Sequence, residues 1–231
     1  MKKQDVINDI DNAFEKIMDA IVTQTLAPEQ KVSESILNES YGISRSISRN
    51  LMERLISKQI LVDVSPRITK VSPLRLHDIR QNFLLRKMLI PSVFGIAASN
   101  VNIDEISELA SMLHEELEVE NDDIALQKLK VNKDLNLIIA RHSEFPLMVD
   151  FVQQLEYIAM RVYWIYIKSK AAFPFSQDQH LKIFEAMQSR DTAHVKATVL
   201  DLLTQTEETI MNAILTDEKL INQSLIVRSK S

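Results

Sequence analysis

The chain has 231 residues, of which 45% are hydrophobic and 26% charged, with no cysteine and a formal net charge of −5. This composition excludes a disordered chain, disulfide bonds and any site built on cysteine thiolates. The charged N-terminus is not followed by an apolar signal segment, and no uncharged run reaches the roughly 18 residues of a membrane span. We therefore expect a cytoplasmic protein with no membrane partner.

The negative charge is unevenly distributed along the chain. Residues 1–75 contain eleven Lys and Arg against ten Asp and Glu, a net charge of +1, whereas the remainder contains sixteen against twenty-two, a net charge of −6. The charge of a domain, rather than that of the chain, governs its attraction to phosphate. The N-terminal third is therefore the part of the chain in which a nucleic-acid contact is expected.

The N-terminal third has the pattern of a helix-turn-helix. Residues 5–26 place their apolar side chains on one face of a long helix. A short helix is capped by Ser33 and stops at Gly42, one of only two glycines in the chain. After this tight turn, a third helix runs from Ser44 to about Lys58. Two helices joined by a three-residue turn form the helix-turn-helix unit.

A hairpin is predicted directly after the third helix. Residues 60–64 and 68–71 are rich in β-branched side chains, and Ser65-Pro66-Arg67 between them reads as a turn. A hairpin in this position is a wing, so residues 1–72 are interpreted as a winged helix-turn-helix DNA-binding domain.

From residue 73 onward, the sequence predicts an all-helical bundle. β-type patterning disappears after Ser72-Pro73-Leu74, and apolar residues recur at helical spacing to the end of the chain. The fold class is therefore mainly α, with residues 73–231 forming a ligand-binding and dimerisation domain. Its predicted helices span residues 76–98, 102–119, 121–142, 145–170, 177–189 and 191–217.

The start of the third helix carries side chains suited to reading DNA. Short hydroxyls and backbone amides bind phosphate at a helix N-terminus, and arginine donates two hydrogen bonds to a guanine edge. The alternative is that such a segment is only a capped, solvated surface. The preceding turn and the following hairpin favour DNA. The predicted DNA contacts are Ser35, Ser44, Arg45, Ser46, Ser48, Arg49, Arg67 and Lys70.

Catalysis has little support in the sequence. The chain contains no Gly-x-Ser-x-Gly, His-Glu-x-x-His or phosphate-binding glycine loop. The protein is therefore not expected to be an enzyme. The alternative reading is a helical-bundle enzyme, or a protein-docking factor whose winged helix does not read DNA.

Residues 10–71 resemble the winged-helix domain of the GntR family of bacterial regulators. The resemblance is carried by residues 26–32, by the turn and helix of residues 42–49, and by the wing at residues 66–71. The chain departs from the family where glycines are usual, at Glu29, Gln59 and Ile68, and it has Asn50 where an acidic residue is common. The resemblance implies a homodimer that binds a palindromic double-stranded operator, most simply as a repressor.

The second domain resembles the FadR-type, FCD variant of the effector bundle found in one GntR subfamily. Residues 86–91 and 180–191 carry this resemblance. Many members hold a metal at positions that correspond here to Asn132, Asn136, His180 and Leu202. Only His180 is a good ligand for a transition metal, since amides are weak ligands and leucine offers none. We therefore expect no metal and no cofactor.

A pocket remains possible without a metal. Polar side chains inside an apolar bundle can orient a small organic ligand, and arginine can hold a carboxylate with two hydrogen bonds. We expect a small-molecule effector, with a carboxylate metabolite as the first choice. His180 alone is equally well read as a hydrogen-bonded core histidine. The predicted ligand contacts are Arg86, Asn132, Asn136, Arg161 and His180.

Overall fold

The computed structural model describes residues 3–114, 119 and 121–216. The chain divides into two compact units, Met1–Leu74 and Arg75–Ser231. The predicted mainly helical class is confirmed, because the three short strands all lie in the first unit and the described part of the second is built from helices. None of the helices in the described ranges combines the length and apolar character needed to cross a membrane.

The first unit packs three helices against a small antiparallel sheet. The elements are α1 (Lys3–Val22), β1 (Lys31–Val32), α2 (Glu34–Tyr41), α3 (Arg45–Ser57), β2 (Leu61–Ser65) and β3 (Ile68–Val71). The strand order is β1-β3-β2. The core of the unit contains the buried side chains of Phe14, Ile17, Leu51 and Leu55, so α1 and α3 both face inward with the predicted stripes.

The turn between α2 and α3 forms as its residues predict. Ser33 caps α2 by accepting a hydrogen bond from the amide of Ile36. Gly42 ends α2 in the left-handed region, with φ of 65°. Glu29 and Gln59, which lack the expected glycine, also adopt left-handed backbone, with φ of 64° and 59°. A residue with a Cβ atom is roughly 1 kcal/mol less stable in the left-handed conformation than in the right-handed one, so these two turns are strained.

The second unit is a helical bundle with one continuous apolar core. The helices are α4 (Leu76–Ala97), α5 (Ile103–His114), α6 (Asp122–Arg141), α7 (Pro146–Lys170), α8 (Gln177–Ser189) and α9 (Thr192–Thr216). Gly95 allows α4 to approach α9 closely, since a Cβ atom there would lie 2.7 Å from the side chain of Lys196 and 3.1 Å from the carbonyl of Thr192.

The six predicted helical segments of the bundle agree with the observed helices to within one or two residues wherever the structure describes both ends. The predicted ends at residues 119 and 217 cannot be compared, because residues 115–118 and 217 lie outside the described residues. The helices α4, α6, α7 and α8 bring polar side chains to one place inside the core, where the apolar pattern would otherwise continue.

Candidate functional site

The first candidate surface is the start of α3. Ser44 caps the helix by accepting a hydrogen bond from the amide of Ile47, and its hydroxyl lies 3.0 Å from that of Ser46. Ser44, Arg45 and Ser46 are all exposed. The free amides of a first turn carry partial positive charge, so this end of the helix attracts anions such as phosphate.

Arg49, one turn further along α3, is held by an acidic neighbour on α2. Its Nε lies 2.7 Å from Oε1 of Glu34, and its Nη2 lies 3.4 Å from Oε2. This hydrogen bond lowers the pKa of the Glu34 carboxyl, and the positive charges of Arg49 and Arg45 add to the effect. The Arg49 side chain is nevertheless 67% exposed, so solvent and ligands can reach it.

Ser48, one of the predicted DNA contacts, does not lie on the exposed surface where such a contact is expected. Its side chain is fully buried, and its Oγ donates a hydrogen bond to the carbonyl of Ser44 at 3.0 Å. Ser48 therefore stabilises the first turn of α3 from inside and is not available to a phosphate. Ser35, on α2, is exposed.

The wing presents further basic side chains. Arg67 is exposed in the turn between β2 and β3, and Lys70 on β3 is half-buried. Lys70 pairs directly with Lys31 of β1 across the sheet, which places the two side chains on one face. Lys31 was missed in the sequence because a strand of two residues is too short to show a period.

Arg54 lies further along α3 and contacts α1. Its Nη1 lies 2.8 Å from Oδ1 of Asp11, and its guanidinium stacks 4.0 Å from the centre of the Phe14 ring. Arg54 therefore ties α3 to α1 on the side away from Arg45.

The second candidate site is a cavity of about 60 Å³ inside the bundle. It brings together four of the five predicted ligand contacts, from α4, α6 and α8. Its polar lining consists of Arg86, Asn132, Asn136, Tyr163, Gln179, His180 and Thr206, and its apolar lining of Ile90, Phe94, Phe175, Ile183, Val199, Leu202 and Leu203.

Arg86 is buried in this cavity wall with two internal partners. Its Nη2 donates to Oε1 of Glu156 at 2.9 Å, and its Nη1 donates to the hydroxyl of Tyr163 at 2.5 Å. Its Nε is buried without a partner among the described residues. Burial raises the pKa of Glu156, an effect that the charge of Arg86 and a hydrogen bond from Asn136 partly offset. Burial likewise raises the pKa of Tyr163.

His180 is hydrogen-bonded within the cavity wall. Its Nε2 donates to Oδ1 of Asn132 at 3.0 Å, and the Phe175 ring meets the imidazole edge-on, with centroids 5.2 Å apart. The nitrogen is therefore used as a donor, whereas a metal needs its lone pair.

The residues at the family's metal positions do not fit a metal. Two are amides, one is Leu202, and the remaining imidazole is engaged with Asn132. Within the described ranges, no three His, Asp or Glu side chains come together in a way that would hold a metal ion.

Arg161 is buried but does not line this cavity. Burial lowers its pKa to about 10, and the negative charge of Asp78 opposes that shift. Its prediction as a ligand contact therefore finds no geometric basis here.

Glu156, which lies beside the cavity, and the lining residues Gln179 and Thr206 are polar groups of the site that sequence reasoning missed. Glu156 lies seven residues before Tyr163 on α7, which places both on one face of the helix. A signal existed: Glu156 lies in the mainly apolar stretch of residues 155–167, where Arg161 is the only other charged residue, and a buried arginine requires a counter-charge.

Comparison with known proteins agrees with this architecture. Residues 81–205 match the family model of the FCD domain. The structure of E. coli McbR/YncC has a TM-score of 0.74, with 16% identity over 88% of this chain and 97% of its own. A structure from Rhodococcus sp. RHA1, described as a transcriptional regulator GntR, has a TM-score of 0.67, with 16% identity over 88% of this chain and 98% of its own.

A third similar structure is a transcriptional regulator of the GntR family from Pseudomonas syringae pv. tomato str. DC3000. Its TM-score is 0.50, with 17% identity over 88% of this chain and 86% of its own. Among the curated proteins, none matches this sequence. At these identities the solved structures establish the fold of the chain, and the family model establishes the kind of bundle.

Proposed function

We propose that this chain, which belongs to the FCD domain family and has the fold of GntR regulators, is a DNA-binding transcription regulator. The winged helix-turn-helix binds an operator, and the helical bundle binds a small molecule that changes operator affinity. Acting as a homodimer, it would recognise two half-sites related by the same twofold symmetry. Repression is the simpler outcome, since a protein seated on an operator blocks access to it.

One observation carries the DNA-binding part of this proposal. The first turn of α3 exposes Ser44, Arg45 and Ser46 together, with the helix N-terminus behind them. Hydroxyls and free amides suit two phosphate oxygens, and Arg45 is long enough to reach a base edge in the major groove. The wing adds Arg67 and Lys70 as contacts to the DNA backbone, and Lys31 of β1, which pairs with Lys70, adds a third positive charge.

The effector part rests on the cavity. A largely apolar pocket with a few converging polar groups is the usual character of a small-molecule site. Binding there can change operator affinity only as far as the ligand's own affinity differs between the free and the DNA-bound protein.

The test of the proposal is operator selection followed by titration. Purified full-length protein would be used to select binding sequences from random duplexes, and the selected sites should share a palindrome. Arg45→Ala should then weaken binding by about 1–3 kcal/mol and relax the preference at one base pair in each half-site. Affinities would be measured at several fixed salt concentrations, because phosphate contacts are salt-dependent.

Arg141→Ala is the matched control, since it removes the same charge from an exposed position on α6. It should bind the selected duplexes like the parent. Failure of the parent to enrich any sequence, even at low salt, would contradict DNA reading and favour a protein-docking role for the winged helix.

A further inference from the structure

The charges around the bundle cavity limit what it can bind. Among the described residues that line it, Arg86 is the only one with a permanent charge. Its guanidinium already holds the carboxylate of Glu156, and both side chains are almost completely buried, at 2% and 1% exposure. Arginine does not lose its proton in proteins, so the buried cation requires this counter-charge.

The cavity wall is consequently close to electrically neutral. Lys133 is the next cation that acts on Glu156, and its Nζ lies 3.1 Å from Oδ1 of Asp134, which balances it in turn. A ligand carboxylate would bring one negative charge without an available partner. Beside these buried groups, a charge without a partner is strongly disfavoured, whereas a neutral hydrogen-bonding group is not.

The polar groups that remain free define the complementary ligand. Arg86 keeps one buried N–H, at Nε, without a partner in the described part of the chain. This donor needs an acceptor oxygen, because a buried donor without a hydrogen bond is destabilising. The volume of about 60 Å³ has room for roughly four to six water-sized groups. The apolar lining supplied by Phe94, Val199 and Leu203 favours a carbon skeleton.

We infer that the cavity binds a small neutral molecule that carries a carbonyl or hydroxyl oxygen, and that it excludes the corresponding carboxylates through the internal Glu156. This inference rests on the proposed effector function and names the chemical class of the effector. It replaces the carboxylate expected from the sequence, because Arg86 is already occupied by the protein's own carboxylate.

The experiment compares molecules of equal shape that differ in charge. Propionamide and lactamide would be titrated against the full-length protein at pH 7.5, beside propionate and lactate, with Tm as the readout. The amides should raise Tm with increasing concentration and bind about tenfold or more tightly than the acids. This parent measurement needs no variant, so it stands even if a substitution impairs folding.

The variant Glu156→Gln should reverse the preference for amides over acids. Removing the internal carboxylate leaves Arg86 uncompensated, so Tm should fall and propionate or lactate should restore it, while the amides should lose their advantage. Glu208→Gln is the matched control, because Glu208 is exposed on α9. It should respond to all four compounds like the parent.

Two results would overturn the inference. One is a parent protein that prefers the acids, with affinity rising about tenfold for each unit of falling pH, because Glu156 would then take up a proton as the anion binds. The other is Glu156→Gln that folds and still prefers the amides. By contrast, no response of parent or variant to any compound would contradict the proposed effector site itself.

Discussion

Two arginine–glutamate pairs of similar geometry lie in the two units of this protein, and they behave in opposite ways. Between α2 and α3 of the first unit, Glu34 and Arg49 are 2.7 Å apart, with side chains 33% and 67% exposed. In the bundle, Arg86 and Glu156 are 2.9 Å apart, with side chains 2% and 1% exposed. The pKa of Glu34 is lowered by its arginine, whereas the pKa of Glu156 is raised by burial despite its arginine.

The difference shows how solvent decides the role of a contact. In water, the pair forms and breaks at little cost, so Arg49 can exchange Glu34 for another anion, such as a phosphate of the proposed operator. In the core, each charge has lost its hydration and depends on the other. The exposed pair is therefore suited to recognition, and the buried pair to holding the shape and the charge balance of a pocket.

The largest expected effect comes from breaking the buried pair. Arg86→Met should lower the free energy of unfolding by about 3–5 kcal/mol, because it leaves Glu156 buried without its cation. The double variant Arg86→Met with Glu156→Leu should recover much of that loss, since no charge is then left unpaired. Urea denaturation of the three proteins measures both values.

Arg141→Met is the control, because it removes an exposed arginine of the same unit and should leave the unfolding midpoint nearly unchanged. A double variant less stable than Arg86→Met would contradict the view that the lone charge is the source of the loss.

A smaller effect is expected from the exposed pair, in DNA binding. Glu34→Gln removes the competitor for Arg49 and a negative charge beside the DNA surface. Affinity should rise, and the slope of log affinity against log salt should become steeper by about one. Glu39→Gln, an exposed position on the same helix, is the control and should change the slope less. An unchanged slope in Glu34→Gln would indicate that Arg49 does not reach phosphate.

The smallest effect is a change in a single pKa. The pKa of Glu34 is lowered chiefly by its hydrogen bond to Arg49, so Arg49→Ala should return it toward the ordinary value of 4.5. Arg45→Ala should shift it less, because Arg45 contributes only its charge. Side-chain NMR titration distinguishes the two variants, and equal shifts would argue against the hydrogen bond.

The sign of this pKa shift also fixes how the exposed pair depends on pH. A carboxyl with a lowered pKa stabilises the fold above its ordinary value of 4.5. That contribution is lost as the pH falls through the folded-state pKa. Glu34 therefore stays ionised beside Arg49 throughout the neutral range in which DNA binding would be measured.

Much of the fold was predictable because the information is local. Apolar spacing defined the long helices. In the helix-turn-helix, Ser33 and Ser44 cap the starts of α2 and α3, and Gly42 ends α2 at the turn. The resemblance to GntR regulators supplied the order of the two domains. Four of the five predicted pocket residues line one cavity, and three of these four were indicated by the resemblance, as the positions that correspond to the family's metal ligands.

The amino-acid sequence by itself thus determined the helices, the recognition turn and the polar side chains that would face inward. Only the tertiary structure decided which of these groups are partners. It buried Ser48 beneath its own helix, set Lys31 beside Lys70 and placed Glu156 against Arg86 across 70 residues of chain. Helical period is a property of neighbouring residues, whereas the neutralisation of a buried charge depends on helices distant in the chain.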